Sequence, residues 1–397
     1  MAVLLLAGCA AAPTATSGGG SSPSALSGSS SPSDPPPTSP STSIPVADPA
    51  HAVPPPGPRT GSLASADLLV FSQSTIPASV VDRIKSTKGV AGVASISLAQ
   101  TSVEDKLLNV VAADPATYRL FEPQETADYQ AFWDRVAGGE VAVSSTLQHR
   151  LPTTKAGFVR LGSQASAPDV HVGAYVQPIP GLPDLVVNPS WGRALGMAPG
   201  NALLISTGAT SPDRVVKPVQ RIVGQKVSVQ RLDVVARTGI DPGALQTAYV
   251  VGSVADAVGR YAYRYVGDGR VAPDPAWVAA HITTESVPIL GPVTCNRMLF
   301  PQLRAALQEV ADRGLASTIH TYNGCYNPRF IAGTHTLSNH AFGLAIDIDA
   351  ATNQRGTRGT MNPAVVQIFE KWGFTWGGTW HYTDPMHFEM NRIVNPG

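Results

Sequence analysis

Residues 338–349 read SNHAFGLAIDID, and residues 384–390 read DPMHFEM. Side chains alternate between the two faces of a strand. A strand over residues 344–349 therefore turns its leucine and isoleucines to one face and its two aspartates to the other. A strand over residues 386–390 likewise separates two methionines and a phenylalanine from a histidine and a glutamate. The two segments predict an α+β fold in which a small sheet presents acids and imidazoles opposite an apolar core.

His340, Asp347 and His387 offer two imidazoles and one carboxylate. Zinc binds such nitrogen and oxygen ligands at about 2.0 to 2.2 Å, and three protein ligands leave a position for water, as in catalytic sites. Asp384 precedes His387 by three residues and is the predicted general base for that water. Arg329 is the predicted cation that stabilises the developing oxyanion.

An imidazole that binds zinc usually donates its second N–H to an acceptor. Asp349 and Glu389 are both candidates for that acceptor, and the sequence leaves the choice open.

The patterns S-x-H-x-x-G-x-A-x-D, W-G-G-x-W and D-x-M-H-F-E follow one another within about residues 272–392. This series resembles the D-alanyl-D-alanine carboxypeptidase (VanY-like) zinc peptidases, particularly the branch that includes phage L-alanyl-D-glutamate endolysins. The resemblance implies a C-terminal zinc peptidase domain over residues 271–397, which acts on peptidoglycan stem peptides. It implies one Zn²⁺ and the following site residues: His340, Asp347 and His387 as ligands, Asp384 as base and Arg329 on the substrate.

The same resemblance places Ser338 near the substrate. We expect Trp380 to line a groove for the stem peptide, with packing of the domain as the alternative. The base is Asp384, where carboxypeptidases and dipeptidases of this family often have Glu. The cleaved bond therefore stays open between D-alanyl-D-alanine, our first expectation, and L-alanyl-D-glutamate. A non-catalytic wall-binding lipoprotein is the rival from another class.

Residues 1–9 read MAVLLLAGC and resemble a bacterial lipoprotein signal that is cut before a lipidated Cys9. Residues 10–60 are rich in Ser, Pro, Gly and Thr, and such a composition predicts a disordered linker. The sequence therefore predicts an extracytoplasmic protein of the bacterial cell envelope that a lipid attaches to the membrane.

Cys295 and Cys325 remain once Cys9 is set aside. In an exported domain two cysteines most often pair, and we expect a disulfide here, with two buried thiols as the alternative.

Residues 61–270 mix short β-branched runs with amphipathic helices and predict a separate α+β accessory domain. Strands are expected at residues 68–71, 90–98, 138–145 and 248–254, and a helix at residues 78–86. Residues 65–235 resemble, loosely, the extracytoplasmic domain of MacB-type ABC permeases. We expect this region to act as a spacer or to bind a protein partner.

The composition excludes two classes of protein. The chain of 397 residues has 28 Lys and Arg against 28 Asp and Glu, so it lacks the basic excess of a nucleic-acid-binding protein. It also has no apolar run of the ~18 to 20 residues that a transmembrane helix needs.

Overall fold

The computed structural model describes residues 48–396, except residues 105, 163, 165, 178, 180, 181 and 183, and these belong to one compact unit. The fold is α+β, as predicted. The predicted signal segment with Cys9 and most of the predicted linker lie outside the described residues. Among the helices described, none has the length and apolar character needed to cross a membrane.

The folded chain begins before residue 61, within the predicted linker. The N–H of Asp48 donates to the carbonyl of Gly138 at 2.9 Å. The ring of His51 stacks on Trp191 with the ring centroids 3.6 Å apart. Composition could not reveal these contacts, because both partners lie far along the chain.

A nine-stranded mixed sheet organises the N-terminal part of the described chain. Helices pack on both of its faces, and the interior strands Leu68–Phe71 and Ala202–Ser206 are buried along their whole length. In spatial order the strands are β5 (Phe158–Arg160), β6 (Asp169–Val176), β4 (Val141–Ser144), β7 (Leu185–Val187), β3 (Lys106–Ala112), β2 (Gly92–Val103), β8 (Ala202–Ser206), β1 (Leu68–Phe71) and β9 (Ser228–Arg231). The helices are α1 (Ala78–Lys85), α2 (Pro115–Tyr118), α3 (Gln124–Asp128), α4 (Gln130–Ala137), α5 (Pro189–Ala194), α6 (Pro212–Val223), α7 (Leu232–Thr238) and α8 (Ala255–Val258).

Most elements predicted in this part are confirmed, and one strand is wrong. The strand expected at residues 248–254 is only the short β10 (Gln246–Ala248). Beyond it, Val250 makes a single bridge with Gln100 and the chain then turns. The apolar run at residues 248–254 therefore predicted correctly that these residues are largely buried, but it did not predict their backbone conformation.

The C-terminal part is built from small antiparallel sheets. Strand β10 pairs with β11 (Tyr261–Gly267) and β12 (Arg270–Pro273), while β13 (Ile282–Val287) and β14 (Gly291–Asn296) form a hairpin. A four-stranded sheet has the order β15 (Tyr322–Gly324), β16 (Ala345–Ile348), β18 (His387–Met390) and β17 (Phe374–Trp376). The helices are α9 (Pro275–His281), α10 (Phe300–Asp312) and α11 (Pro363–Lys371).

The four-stranded sheet packs its apolar face on helices α10 and α11. Asn362 caps α11, since its side chain accepts the N–H of Ala364 at 2.9 Å. The same core includes Tyr261 and Tyr263 of β11, which precede residue 271. The division into domains at residue 270 stays a prediction.

Candidate metal centre

Strands β16 and β18 bring two of the predicted ligands together. They pair antiparallel, with Asp347 directly opposite His387. Neighbouring Ile346 and Phe388 are fully buried on the other face of the sheet. The alternation predicted from sequence is thus confirmed, and the polar face carries the metal centre.

The third ligand, His340, lies on a 3₁₀ helix, Asn339–Phe342, that leads into β16. Ser338 caps this helix, because its hydroxyl accepts the N–H of His340 at 3.3 Å. Gly343 ends it with φ +66°, and a Cβ atom there would lie 2.7 Å from the backbone nitrogen of Asn296. Only glycine fits this turn, so the sequence fixes where His340 points.

The three side chains converge on one point. His387 Nδ1 lies 3.0 Å from Asp347 Oδ1, and His340 Nε2 lies 3.1 Å from Asp347 Oδ2. The two imidazole nitrogens are 3.2 Å apart. All three side chains are largely buried.

Hydrogen bonds on the far side of each ring indicate which nitrogen carries the proton. His340 Nδ1 lies 2.8 Å from the carbonyl oxygen of Cys325, which can only accept. His387 Nε2 lies 3.4 Å from the carboxylate of Glu389. Both outer nitrogens can therefore donate, and both inner nitrogens face Asp347, where each can offer a lone pair to a metal ion that replaces a proton. Three electron-pair donors this close together need a cation between them, and their chemistry fits Zn²⁺.

The carboxylates around His387 make the cluster attract positive charge. Burial alone would lower the pKa of His387, but hydrogen bonds with Asp347 and Glu389 raise this pKa to about 10. Burial would raise the pKa of Asp347, and the two imidazoles instead hold it well below its usual range. A metal ion would take the place of that proton.

Glu389, rather than Asp349, orients an imidazole. Besides contacting His387, its carboxylate accepts the side-chain amide of Asn339 at 2.5 Å. Asp349 was expected to share the face of Asp347, but β16 ends at Ile348 and Asp349 has φ +51°. Its carboxylate instead accepts the backbone N–H groups of His320 and Thr321 at 2.8 and 2.7 Å.

Asp384 lies on a tight turn that leads into β18. Its carbonyl accepts the N–H of His387 at 3.0 Å. The W-G-G-x-W segment supports this turn: the indole of Trp376 donates to the carbonyl of Pro385 at 2.7 Å, and the carbonyl of Gly377 accepts the N–H of Asp384 at 2.8 Å. The motif therefore has a structural role that sequence reasoning did not identify.

The carboxylate of Asp384 is largely but not fully buried, and only one of its two oxygens lies near a cation. Its Oδ2 atom lies 3.8 Å from Nε of Arg355. Its Oδ1 atom has no hydrogen-bond partner among the described residues. Burial raises the pKa of Asp384, although the charge of His387 opposes the shift. The group thus has a free acceptor atom beside the metal ligands and an enhanced affinity for a proton.

The backbone of Arg329 contacts the segment that carries His340. Its carbonyl accepts the N–H of Ser338 at 3.1 Å, so it lies beside the turn that carries His340. Its guanidinium donates to the carbonyl of Phe330 at 3.2 Å and forms no ion pair with a described residue. This leaves most of its donors available to a substrate.

Trp380 packs against the metal centre itself. Its ring centroid lies 5.3 Å from that of His387, and only 6% of the residue is exposed. Such packing holds the imidazole in place, which favours the packing alternative for Trp380. A substrate role for Trp380 or for Ser338 stays a prediction.

Cys295 and Cys325 form the expected disulfide. It links β14 to the loop after β15. Because the carbonyl of Cys325 is the acceptor for His340, the bridge anchors one of the metal ligands.

Residues 332–390 match the family model described as D-alanyl-D-alanine carboxypeptidase, Peptidase_M15_4. The matched segment contains His340, Asp347, Asp384 and His387, and it begins three residues after Arg329. The predicted resemblance of the C-terminal region is confirmed: this region is a metallopeptidase with a site for one Zn²⁺. The match supports a zinc peptidase that acts on peptidoglycan.

The match does not extend into residues 65–235. The similarity of that segment to MacB-type permeases and its binding of a protein partner stay predictions. No curated protein matches the chain.

Proposed function

We propose that the chain is a zinc-dependent D-alanyl-D-alanine carboxypeptidase that hydrolyses peptidoglycan stem peptides. The observation that supports this most strongly is that different residues are available for metal binding and for proton transfer. His340, Asp347 and His387 converge, while the buried Oδ1 of Asp384 has no hydrogen-bond partner among the described residues. A structural zinc site normally has four protein ligands, so three ligands and a separate base favour catalysis over wall binding alone.

Zinc held by these ligands supplies Lewis acidity, which activates water and polarises the carbonyl of the scissile bond. Asp384 Oδ1 accepts the proton of the attacking water and then delivers it to the leaving amine. Burial raises the pKa of Asp384 from its usual value towards neutral pH. A base whose pKa lies closer to the working pH can both accept and release a proton efficiently. Arg329 offers its guanidinium to the negative charge on the substrate.

The bond that is cleaved distinguishes this proposal from the endopeptidase alternative. The experiment is incubation of the zinc-loaded full chain with a synthetic stem pentapeptide, followed by mass spectrometry. Release of one terminal D-alanine supports the carboxypeptidase. Release of L-alanine from an otherwise intact peptide would contradict the carboxypeptidase and support the endopeptidase. Absence of any product would favour the wall-binding lipoprotein.

We also propose that the protein works in the bacterial cell envelope, attached through a lipid on Cys9. The Cys295–Cys325 disulfide supports an oxidising, extracytoplasmic compartment. Metabolic labelling with a fatty acid tests the anchor: label in the wild type and none in Cys9→Ala is expected. Equal labelling of both proteins would contradict it.

A further inference from the structure

A cavity of about 490 Å³ separates the N-terminal part of the chain from the peptidase loops. Lys106, His149 and Arg150 line one side, and Arg355 and His381 line the other. Its volume is that of a typical small-ligand site. The peptidase family match includes Arg355 and His381 of the second side and none of the three residues named on the first side.

The charged side chains of the lining are predominantly cationic. Lys106, Arg150 and Arg355 carry permanent positive charges, and Asp184 is the only carboxylate among the described lining residues. Asp184 is engaged already, because its Oδ2 atom accepts the backbone N–H of Asn109 at 2.7 Å. Burial also raises the pKa of Asp184, although the hydrogen bonds from Asn109 oppose this shift. Arg150, in contrast, is exposed and forms no ion pair with a described residue.

One contact joins this cavity to the proposed base, and a second fixes the loop that precedes the base. Arg355 lies 3.8 Å from the carboxylate of Asp384 and stacks over the ring of Tyr382. The backbone N–H of His381, three residues before Asp384, donates to Glu104 at 3.0 Å. Glu104 lies in the turn between β2 and β3, so this hairpin is fixed against the loop of the proposed base. A peptide held next to Asp384 would reach the cavity with its neighbouring residues.

We propose that this cavity binds a carboxylate of the stem peptide away from the cleaved bond, with Arg150 and Lys106 as specificity-determining residues. The proposal rests on the proposed function for the identity of the peptide. The observations favour a carboxylate because the site offers several cations on two separate walls, a geometry that suits an anionic branch of a peptide. Residues 61–270 would then contribute to the choice of substrate.

The test compares two synthetic stem peptides that differ only at the α-carboxyl of the glutamate residue, which is free in one and amidated in the other. Calorimetry measures their binding to the metal-free full chain, which cannot cleave them. We expect amidation to weaken binding about fivefold, the effect of an ion pair at a partly exposed site. Arg150→Ala should weaken binding of the free-acid peptide equally and leave the amidated peptide unaffected.

Arg214→Ala is the matched control, since Arg214 is an exposed arginine of α6 outside the cavity. Equal binding of the two peptides to the wild type, or an equal loss for both peptides in Arg150→Ala, would overturn the proposal. Cleavage assays with the zinc-loaded chain separate it from the proposed function. Different binding of the two peptides without cleavage would reject the carboxypeptidase and keep the cavity assignment. Cleavage with equal binding of the two peptides would keep the carboxypeptidase and reject the cavity assignment.

Discussion

His340 Nε2 and His387 Nδ1 face each other at 3.2 Å, and each is the ring nitrogen that points towards Asp347. Each ring donates its other N–H to an acceptor, the carbonyl of Cys325 for His340 and the carboxylate of Glu389 for His387. These acceptors orient both rings, so that the nitrogens facing Asp347 become the ligand atoms when a metal ion replaces the protons there. Together with Asp347, the two rings present lone pairs to a single point.

Glu389 should therefore control metal affinity without being a ligand. We expect Glu389→Ala to weaken zinc binding about 10- to 100-fold, because His387 loses the acceptor that orients it. Glu389→Gln should lose less, since an amide oxygen still accepts the imidazole N–H. Competition with a chromophoric chelator measures both affinities. Wild-type affinity in a normally folded Glu389→Ala protein would contradict the assignment.

Trp376 should affect turnover rather than metal binding. Trp376→Phe removes the N–H that holds the carbonyl of Pro385 and so loosens the turn that carries Asp384. We expect kcat to fall about 10- to 100-fold, because the base would be displaced by a fraction of an ångström. The zinc content should not change.

Trp372→Phe is the control for that experiment. It also removes an indole hydrogen bond, here to Glu309 at 2.7 Å, but at the end of α11 and outside the metal centre. Its kcat should equal that of the wild type. Equal losses in both variants would mean that the domain, and not the turn, is disturbed.

Much of the metal centre follows from local sequence. The alternation of side chains in β16 and β18 predicts which face carries Asp347 and His387, and this needs no knowledge of the fold. The pairing register does not follow from it: a shift by two residues would keep both faces and separate the two ligands. The turn before β18, with its support from Trp376, and the turn that ends at Gly343 are what set the register.

What the sequence could not reveal are partners that are distant along the chain. Arg355 belongs to none of the sequence motifs described above. Its proximity to Asp384 depends on how the loop after β16 folds against the turn before β18. The acceptor for His340 is a backbone carbonyl, which leaves no trace in residue identity. Asp349 was a reasonable candidate by alternation, but a positive φ turns it out of the strand.

The pH dependence of turnover should respond to Arg355. Burial raises the pKa of Asp384, and the charge of Arg355 is among those that oppose this rise. Without that charge the pKa rises further, so the base stays protonated up to a higher pH. In Arg355→Gln the acid limb of the kcat profile should move up by about 0.5 to 1 pH unit.

Arg358→Gln changes an exposed arginine of the same loop and should leave the profile unchanged. A profile for Arg355→Gln that coincides with the wild type, or that moves to lower pH, would contradict the role of Asp384 as the base.

The disulfide should contribute to both stability and metal binding. It closes a loop of 30 residues, and its loss in the Cys295→Ala/Cys325→Ala protein should lower the free energy of unfolding by about 3 to 4 kcal/mol. Zinc affinity should fall as well, since the carbonyl of Cys325 accepts the N–H of His340. Urea titration and chelator competition measure the two effects, and a stable double variant with wild-type zinc affinity would reject this link.

The most direct test of the central claim measures zinc content and release of D-alanine in the same samples of three proteins. The wild type should contain one zinc ion and release D-alanine from a stem pentapeptide. Asp384→Asn should keep the zinc and lose about a hundredfold or more of the turnover, while His340→Ala should lose both. Full zinc content in His340→Ala, or wild-type turnover by Asp384→Asn, would contradict the proposed division between metal ligands and base.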